Sequence, residues 1–188
     1  MATAQQITLV PHPTTPSEAI RSVDVQVSIP SPGLLALRYV LRADMPRIRV
    51  GSETTPGAAD ELWKHTCFEA FIQPGDSRGY YEFNFAPTRQ WAVYRFSAYR
   101  EGMTPMNLAN PAEVTVQKGH DHLELQAIFP LPFSATAGAA PRARLAVTAV
   151  VEEESGRLCY WSGRHPQGKP DFHHQDGFAF ELQARGHS

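Results

Sequence analysis

The sequence predicts an all-β fold, an antiparallel β-sandwich of about ten strands with little helix. The main observation is a period of two, in which apolar and polar side chains alternate through short segments separated by turn residues. A second observation is that no segment carries a sustained helical stripe, and residues 58–65 are the best helical candidate. A third is the spacing of the segments, which is typical of sandwiches and barrels.

The predicted elements follow in order along the chain. Residues 1–20 are rich in proline and threonine and are expected to lead in as a loop, before a single domain over 21–184 and a tail at 185–188. Strands are predicted at 23–29, 35–41, 67–73, 81–85, 91–98, 114–116, 123–127, 145–151, 158–160 and 178–182. Residues 118–121 and 154–157 are predicted hairpin turns.

Bulk composition excludes several classes of protein. The 188 residues are 42% hydrophobic, enough for one packed domain, and the net charge of −2 offers no basic field for nucleic acid or anionic lipid. No apolar run reaches the ~20 residues of a membrane span, and the N-terminus lacks a signal-peptide pattern, so a cytoplasmic location is expected.

The sequence has two cysteines, Cys67 and Cys159. They form neither a disulfide framework nor a metal-binding pair, although a single disulfide between them stays possible.

Strand parity brings polar and aromatic side chains to one face of a predicted sheet. If Phe68, Phe83 and Phe96 face the core, the residues between them face the other side. That set is Glu69, Glu82, Asn84, Trp91 and Arg95. Aromatic faces cover the C–H patches of a sugar, and charged and amide groups satisfy its hydroxyls. The face therefore predicts a site for a carbohydrate or similar polar ligand, and a solvated sheet face with cross-strand Glu–Arg pairs is the alternative.

The segment 160–174 is a predicted loop dense in charged residues and histidine. Its candidate binding residues are Trp161, His165, Lys169, Asp171 and His173. Its histidines and Asp171 are possible metal ligands, but no known ligand spacing is present. In addition, the adjacent side chains of His173 and His174 would point apart on an extended chain. The alternative is a loop pinned by hydrogen bonds from histidine and aspartate to backbone groups.

Catalytic motifs give little support for an enzyme. Phosphate-loop, Rossmann, HExxH and GxSxG patterns are absent. Glu69 and Glu82 are a possible acid and base for glycoside cleavage, but the sequence does not determine their separation. An enzyme that uses Glu69, His165 or Asp171 stays an alternative, as does a sandwich that binds another protein, and we favour a non-catalytic module.

Three segments carry a resemblance to a known family. They read LWKHTCFEAFI, YYEFNFAPTRQWAVYRF and YWSGRHPQGKPDFHHQDGFAFEL. In this order they resemble the bacterial DOMON-like proteins, which are related to family 9 carbohydrate-binding modules, over about residues 20–184. The resemblance implies a sandwich of jelly-roll type that binds sugar or haem.

The resemblance also implies roles for individual residues. In the sugar-binding modules two tryptophans sandwich the sugar, and the segment at Trp63 resembles the part that supplies one of them together with a carboxylate, here Glu69. Trp161 or Trp91 would supply the second. The predicted cleft therefore consists of Trp63, Glu69, Asn84, Trp91 and Arg95, with the 161–174 loop as its rim.

A haem-binding electron-transfer domain is the alternative function that the resemblance implies. Haem-binding relatives use a methionine and a histidine as axial ligands, for which Met45 and His165 are the candidates here. Met45 lies beside Pro46 and is also suited to filling core space. For the carbohydrate-binding class no cofactor is expected.

Overall fold

The structure is a computed structural model, and it describes residues 4–75, 77–133 and 142–183. These residues form fifteen strands and three short 3-10 helices, arranged as two sheets packed face to face. The predicted all-β antiparallel sandwich is confirmed. The predicted tail at 185–188 lies outside the described residues.

The strands are short and follow one another closely. They are β1 (Gln5–Thr8), β2 (Val10–Pro11), β3 (Ile20–Ser28), β4 (Leu34–Ala43), β5 (Ile48–Arg49), β6 (Gly57–Ala58), β7 (Cys67–Pro74), β8 (Tyr80–Phe85), β9 (Gln90–Phe96), β10 (Thr104–Pro105), β11 (Glu113–Lys118), β12 (His122–Pro130), β13 (Arg142–Glu153), β14 (Leu158–Ser162) and β15 (Phe180–Gln183). The 3-10 helices are Met45–Arg47, Leu62–Lys64 and Gln175–Gly177. Each predicted strand has a counterpart, and the additional ones are β1 and four strands of two residues. Within the described ranges no helix has the length and apolar character to cross a membrane.

Two sheets of unequal size make the sandwich. The smaller has the order β1-β3-β4-β12-β11, with every pair antiparallel. The larger has the order β10-β9-β8-β7-β13-β14-β2, with β5 and β15 also paired to β13 and β6 paired to β9 in parallel. Strand β7 lies near the middle of this sheet, between β8 and β13, so its side chains are far from either edge.

The main hydrophobic core fills the space between the sheets. From the smaller sheet, Leu35, Leu37, Tyr39 and Leu41 are fully buried on one face, as the period of two predicts. From the larger sheet, Phe68, Ala70, Ile72, Phe83 and Phe85 meet them. Burying each such large apolar side chain stabilises the fold by about 1.5–3 kcal/mol.

A second apolar cluster lies on the outer face of the larger sheet, where segment 163–179 covers it. Its buried aromatic members are Phe71, Tyr80, Tyr94, Phe96 and Phe178. Because side chains alternate along a strand, burial on both faces makes β7 buried at every position from Cys67 to Ile72. The larger sheet is therefore a middle layer, and its outer face is where a site can form beneath a loop.

The prediction that residues 1–20 form a loop was wrong for the two strands they contain. Strand β1 pairs with β3, and β2 pairs with β14. The apolar side chains of Ile7 and Leu9 lie in the main core, which holds the segment down despite its prolines.

The two cysteines are free thiols in the structure. Cys67 belongs to the outer cluster of the larger sheet, whereas Cys159 belongs to the core between the sheets. They lie on opposite faces of the same sheet, so no bridge joins them.

Candidate functional site

A cleft of about 560 Å³ opens over the outer face of the larger sheet. Its floor comes from four neighbouring strands, and the floor residues are Glu69, Phe71, Glu82, Val150 and Tyr160. Its walls and rim come from the 3-10 helix Leu62–Lys64, the end of β9 and two loops, and these residues are Trp63, Phe96, Arg100, Met103, Lys169, Pro170, Phe172 and His173. The volume is that of a pocket for a small molecule.

A buried polar row runs across the sheet beneath the cleft. Residues directly opposite one another on paired strands share a face, and the pairing places Ser162, Thr148, Glu69 and Asn84 in one line across β14, β13, β7 and β8. All four are buried. Glu82 lies one step along β8 from this row, on the same face. The polar row is the reason why this face differs from an ordinary apolar core.

The two carboxyl groups of the floor are deeply buried. The side chains of Glu69 and Glu82 belong to residues only 2% and 5% exposed. Asn84 Nδ2 donates to Glu82 Oε1 at 2.9 Å, and Thr148 Oγ1 donates to Glu69 Oε2 at 3.3 Å. Two buried polar atoms, Glu69 Oε1 and Asn84 Oδ1, have no hydrogen-bond partner among the described residues.

Burial makes both carboxyls weaker acids than usual. Desolvation raises the pKa of Glu69 well above its ordinary value, and the charge of Glu82 raises it further. Desolvation also raises the pKa of Glu82 to about 7, although the hydrogen bond from Asn84 and the charge of Arg100 both oppose this rise. Burial therefore disfavours the charged form of both floor carboxyls.

Trp63 is set at the wall by a strained turn. Glu61 adopts a left-handed backbone with φ of 58°, and the 3-10 helix Leu62–Lys64 begins at the next residue. Asp60 accepts hydrogen bonds from the Tyr94 hydroxyl and from the backbone N–H of Glu61. The Trp63 ring packs edge-on against Tyr94 with centroids 5.4 Å apart, and the indole remains half-buried beside the cleft.

The rim segment is held down by a charged contact and a ring contact. Arg100 Nη2 donates to Asp171 Oδ1 at 2.8 Å, and Tyr99 donates its hydroxyl to Asp171 Oδ2. The His173 ring lies 5.0 Å from both Phe71 and Phe96, and its Nδ1 shares a 2.7 Å hydrogen bond with the Tyr80 hydroxyl.

His173 is uncharged in this setting. Desolvation, with a contribution from Arg100, lowers the pKa of His173 to about 4. Its Nε2 lies 3.8 Å from Glu82 Oε2, but a neutral ring does not neutralise that carboxyl. Asp171 also accepts a hydrogen bond from the backbone N–H of His173, as the interpretation of a loop pinned by hydrogen bonds expects. The predicted loop at 160–174 was wrong for residues 160–162, which belong to β14.

Several of the predicted site residues come together in the structure. Trp63, Glu69, Lys169 and His173 line the cleft. Asn84 lies in the polar row and donates to Glu82, while Asp171 holds Arg100 at the wall. Of these, Lys169 is exposed at the mouth and forms no ion pair with another described residue.

The predicted orientations of Trp91 and Arg95 were wrong. Trp91 and Val93 belong to the core between the sheets, whereas Phe96 is the residue of β9 that faces the cleft. Arg95 has the parity of Trp91 and is exposed away from the cleft. The physical reason is that β9 is buried on both faces, so its alternation does not distinguish the inner face from the outer one.

Trp161 and His165 also lie away from the cleft, contrary to their expected place in its rim. Trp161 is buried between the sheets, and its Nε1 has no hydrogen-bond partner among the described residues. His165 Nε2 contacts the carbonyl oxygen of Val10 at 2.9 Å, and the ring packs edge-on against His12. Neither residue lines the cleft, which has one tryptophan rather than a facing pair.

The haem and metal hypotheses gain no support from the geometry. Met45 packs against the core between the sheets, and neither it nor His165 lines the cleft. Haem binding stays a prediction. The described residues contain no group of three or more histidine, cysteine, aspartate or glutamate side chains placed to hold a metal ion.

Sequence reasoning missed most of the aromatic wall. Phe71, Phe96, Phe172 and Tyr160 line the cleft, and none of them was among the predicted site residues. Arg100 and Met103 lie after the predicted end of β9 and carry no motif. The one signal that was available is the apolar character of β7 on both of its faces, which indicates a second layer above the sheet.

Comparisons with solved structures agree on the fold, whereas two other comparisons find no match. No protein-family model matches the chain, and no curated protein matches its sequence. Among solved structures, a candidate carbohydrate-binding protein from Bacteroides uniformis is similar with a TM-score of 0.70 and 14% identity, over 94% of this chain and 84% of that one.

Two structures of a family 9 carbohydrate-binding module from Caldicellulosiruptor kristjanssonii are also similar. The complex with glucose has a TM-score of 0.58 and 10% identity, over 93% of this chain and 81% of that one. The complex with cellotriose has a TM-score of 0.53 and 11% identity, over 98% and 84%. At these identities the likeness establishes a shared sandwich fold.

Proposed function

We propose that this protein is a non-catalytic binding module whose cleft takes a monosaccharide or a short oligosaccharide. One observation carries the proposal: an open cleft places aromatic side chains directly beside buried carboxyl groups. A sugar ring presents C–H patches and hydroxyls side by side, and it needs both kinds of surface in one place. An ordinary solvated sheet face provides no such enclosure.

The apolar part of the proposed contact is the Trp63 side of the cleft. Trp63 is half-buried, which leaves part of the indole beside the cleft, and Phe96 and Phe172 provide further ring surface. Aromatic side chains carry a large share of binding energy where they line an enclosed pocket. Trp63 is therefore the residue whose loss is expected to weaken binding most.

The polar part of the proposed contact is the floor. Glu69 lines the cleft beside Glu82, and its Oε1 atom is buried and without a partner among the described residues. A ligand hydroxyl that donated to this oxygen would satisfy it, and a buried acceptor left unsatisfied costs about 1–3 kcal/mol. Lys169 at the mouth adds a donor for hydroxyls further out.

The placement of the carboxyls favours binding over hydrolysis. Glu69 and Glu82 project from adjacent strands onto the same face of one sheet, so both carboxyls belong to the floor of the cleft. Glycoside cleavage requires two carboxyl groups that flank the scissile bond. The fold shared with modules solved in complex with glucose and cellotriose adds support to a sugar ligand.

Titration calorimetry against a panel of mono- and disaccharides tests the proposal. We expect saturable binding by the wild-type chain to at least one sugar, and a loss of about tenfold or more in affinity in the Trp63→Ala variant. Arg95→Ala is the matched control, because Arg95 is exposed away from the cleft and its variant is expected to bind like the wild type. Absence of heat across the panel at millimolar sugar, or equal losses in the two variants, would contradict the proposal.

A further inference from the structure

The floor of the cleft is rich in hydrogen-bond acceptors and poor in donors. Glu69 Oε1 and Asn84 Oδ1 are both buried and unpartnered within the described part of the chain, and their residues face each other across β7 and β8. The second oxygen of Glu69 receives a long 3.3 Å hydrogen bond from Thr148. Two side chains, those of Glu69 and Asn84, thus present unpartnered acceptor atoms from neighbouring strands, and Glu69 lines the cleft.

No cation of the described residues neutralises the two floor carboxyls. The charge of Arg100 is engaged by Asp171, and the nearest basic atom to Glu82 is the ring nitrogen of a neutral His173 at 3.8 Å. Lys169 lies at the exposed mouth. Elsewhere the buried carboxylate of Glu152 is paired with Arg49 at 2.7 Å, so this buried acidic group, unlike the two on the floor, has a cation beside it.

We propose that the natural ligand carries an ammonium group that is seated on Glu69 and Glu82, so that the sugar is an amino sugar. This inference rests on the proposed carbohydrate-binding function and narrows its ligand class. An ammonium group has three N–H donors and no acceptor, which matches a floor of acceptors. A hydroxyl also donates, but it brings no charge to balance two buried carboxyls.

The surroundings of the floor suit a cation. Aromatic rings attract a cation over their faces, and Phe71 and Phe96 adjoin the carboxyls in the lining of the cleft. The raised pKa values of Glu69 and Glu82 favour protonated carboxyls when no ammonium group is bound. Binding of the ammonium group is then expected to release part of a proton from the floor.

Calorimetry with three matched sugars tests the ammonium group. The sugars are glucose, 2-amino-2-deoxyglucose and N-acetylglucosamine, measured at about pH 6.5, where an amine with a pKa near 8 is charged. We expect the amino sugar to bind about tenfold more tightly than glucose, because a charge-assisted hydrogen bond is roughly twice as strong as a neutral one. The N-acetylated sugar, which has lost the charge, is expected to lose this advantage.

Variants locate the preference on the floor. Glu69→Gln and Glu82→Gln keep the side-chain shape and remove the charge, and each is expected to bring the amino sugar to parity with glucose. Glu124→Gln removes a partly exposed carboxylate from the smaller sheet and is expected to keep the tenfold preference. A native circular dichroism spectrum and a cooperative melting transition for each variant separate lost binding from lost folding.

The outcomes separate this inference from the proposed function. If glucose binds as tightly as the amino sugar, the proposed preference for an ammonium group is refuted while the carbohydrate-binding function stands. If no sugar binds but cyclohexylamine binds and its binding depends on Glu69, the carbohydrate-binding function fails while the ammonium site on the floor stands. If added calcium raises the melting temperature and blocks the amino sugar, the floor holds a metal ion and the inference is overturned.

Discussion

The two sheets of this sandwich each have an outer face with charged residues, and the two faces use them differently. On the smaller sheet Arg38 pairs with Glu124, and Arg42 pairs with Asp24 at 3.2 Å, with the arginines about half exposed. On the larger sheet Glu69 and Glu82 are buried beneath a loop and have no charged partner among the described residues.

The difference indicates which face is the candidate for a binding site. Exposed ion pairs are solvated and contribute little beyond solubility. Buried carboxyls without a cation are costly, and such groups are concentrated at functional sites because a ligand can complete them. The outer face of the larger sheet is therefore the candidate site, and the corresponding face of the smaller sheet is an ordinary surface.

The largest expected difference between the two outer faces concerns packing. Phe71→Ala on the larger sheet is expected to lower the free energy of unfolding by about 3–5 kcal/mol, because the ring is buried against Tyr80, Phe172 and Phe178. Val40→Ala on the smaller sheet is expected to lower it by about 1 kcal/mol or less, since Val40 is half-buried beside solvated charges. Urea denaturation of both variants measures the two values, and equal losses would mean that both outer faces are equally covered.

The next effect is a dependence of stability on pH that arises from Glu82. Its pKa is about 7 in the folded chain and about 4.5 when unfolded, so the folded state binds more protons between these values and stability falls as pH rises through that window. At about 1.4 kcal/mol for each unit of pKa, the destabilisation reaches about 3 kcal/mol above pH 7. Glu82→Gln is expected to recover most of this at pH 8 and to change little at pH 4.

The neighbours of Glu82 must stay intact for this comparison. The ionisable groups that surround Glu82 on the packed elements are Cys67, Glu69, Tyr80, Tyr94, Arg100, Tyr160, Lys169, Asp171 and His173. Glu124→Gln is the control, and its stability relative to the wild type is expected to stay nearly constant with pH from 5 to 8. Thermal unfolding across that range measures both variants. A gain at pH 8 that is the same for both would contradict the difference between the faces.

The smallest effect is the energy of an exposed pair on the smaller sheet. A double-mutant cycle on Arg38 and Glu124 is expected to give a coupling of about 0.2–1 kcal/mol, which salt weakens because both side chains are partly exposed. Urea denaturation at low and high salt measures the coupling. A coupling of several kcal/mol that resists salt would show that this face also holds a structural charge network.

The fold was predicted well because the alternation of apolar and polar side chains, with its period of two, can be recognised within a single strand. The alternation through 35–41 and 145–151 needs no tertiary information, and both segments are strands. The same rule failed for β9, because both faces of that strand are buried and Trp91 is as apolar as Phe96. The short strand β1 was missed because the prolines near it obscured its single buried Ile7.

The cleft was predicted in part, for a physical reason. Trp63 and Glu69 are close in sequence, so a local motif could indicate both. The contact between Arg100 and Asp171, by contrast, joins residues 71 positions apart, and no local pattern indicates it. The aromatic wall likewise depends on a loop that folds back over the sheet, which is a tertiary event that alternation along one strand does not record.

The most direct test of the central claim, that the cleft over the larger sheet is the sugar site, follows the three tryptophan indole N–H signals by ¹⁵N–¹H NMR during a sugar titration. Trp63 lines the cleft, whereas Trp91 and Trp161 are buried between the sheets. The signal of Trp63 is expected to shift with saturation as sugar is added, while those of Trp91 and Trp161 stay in place. A titration that moved the core signals and left that of Trp63 unchanged would contradict the account.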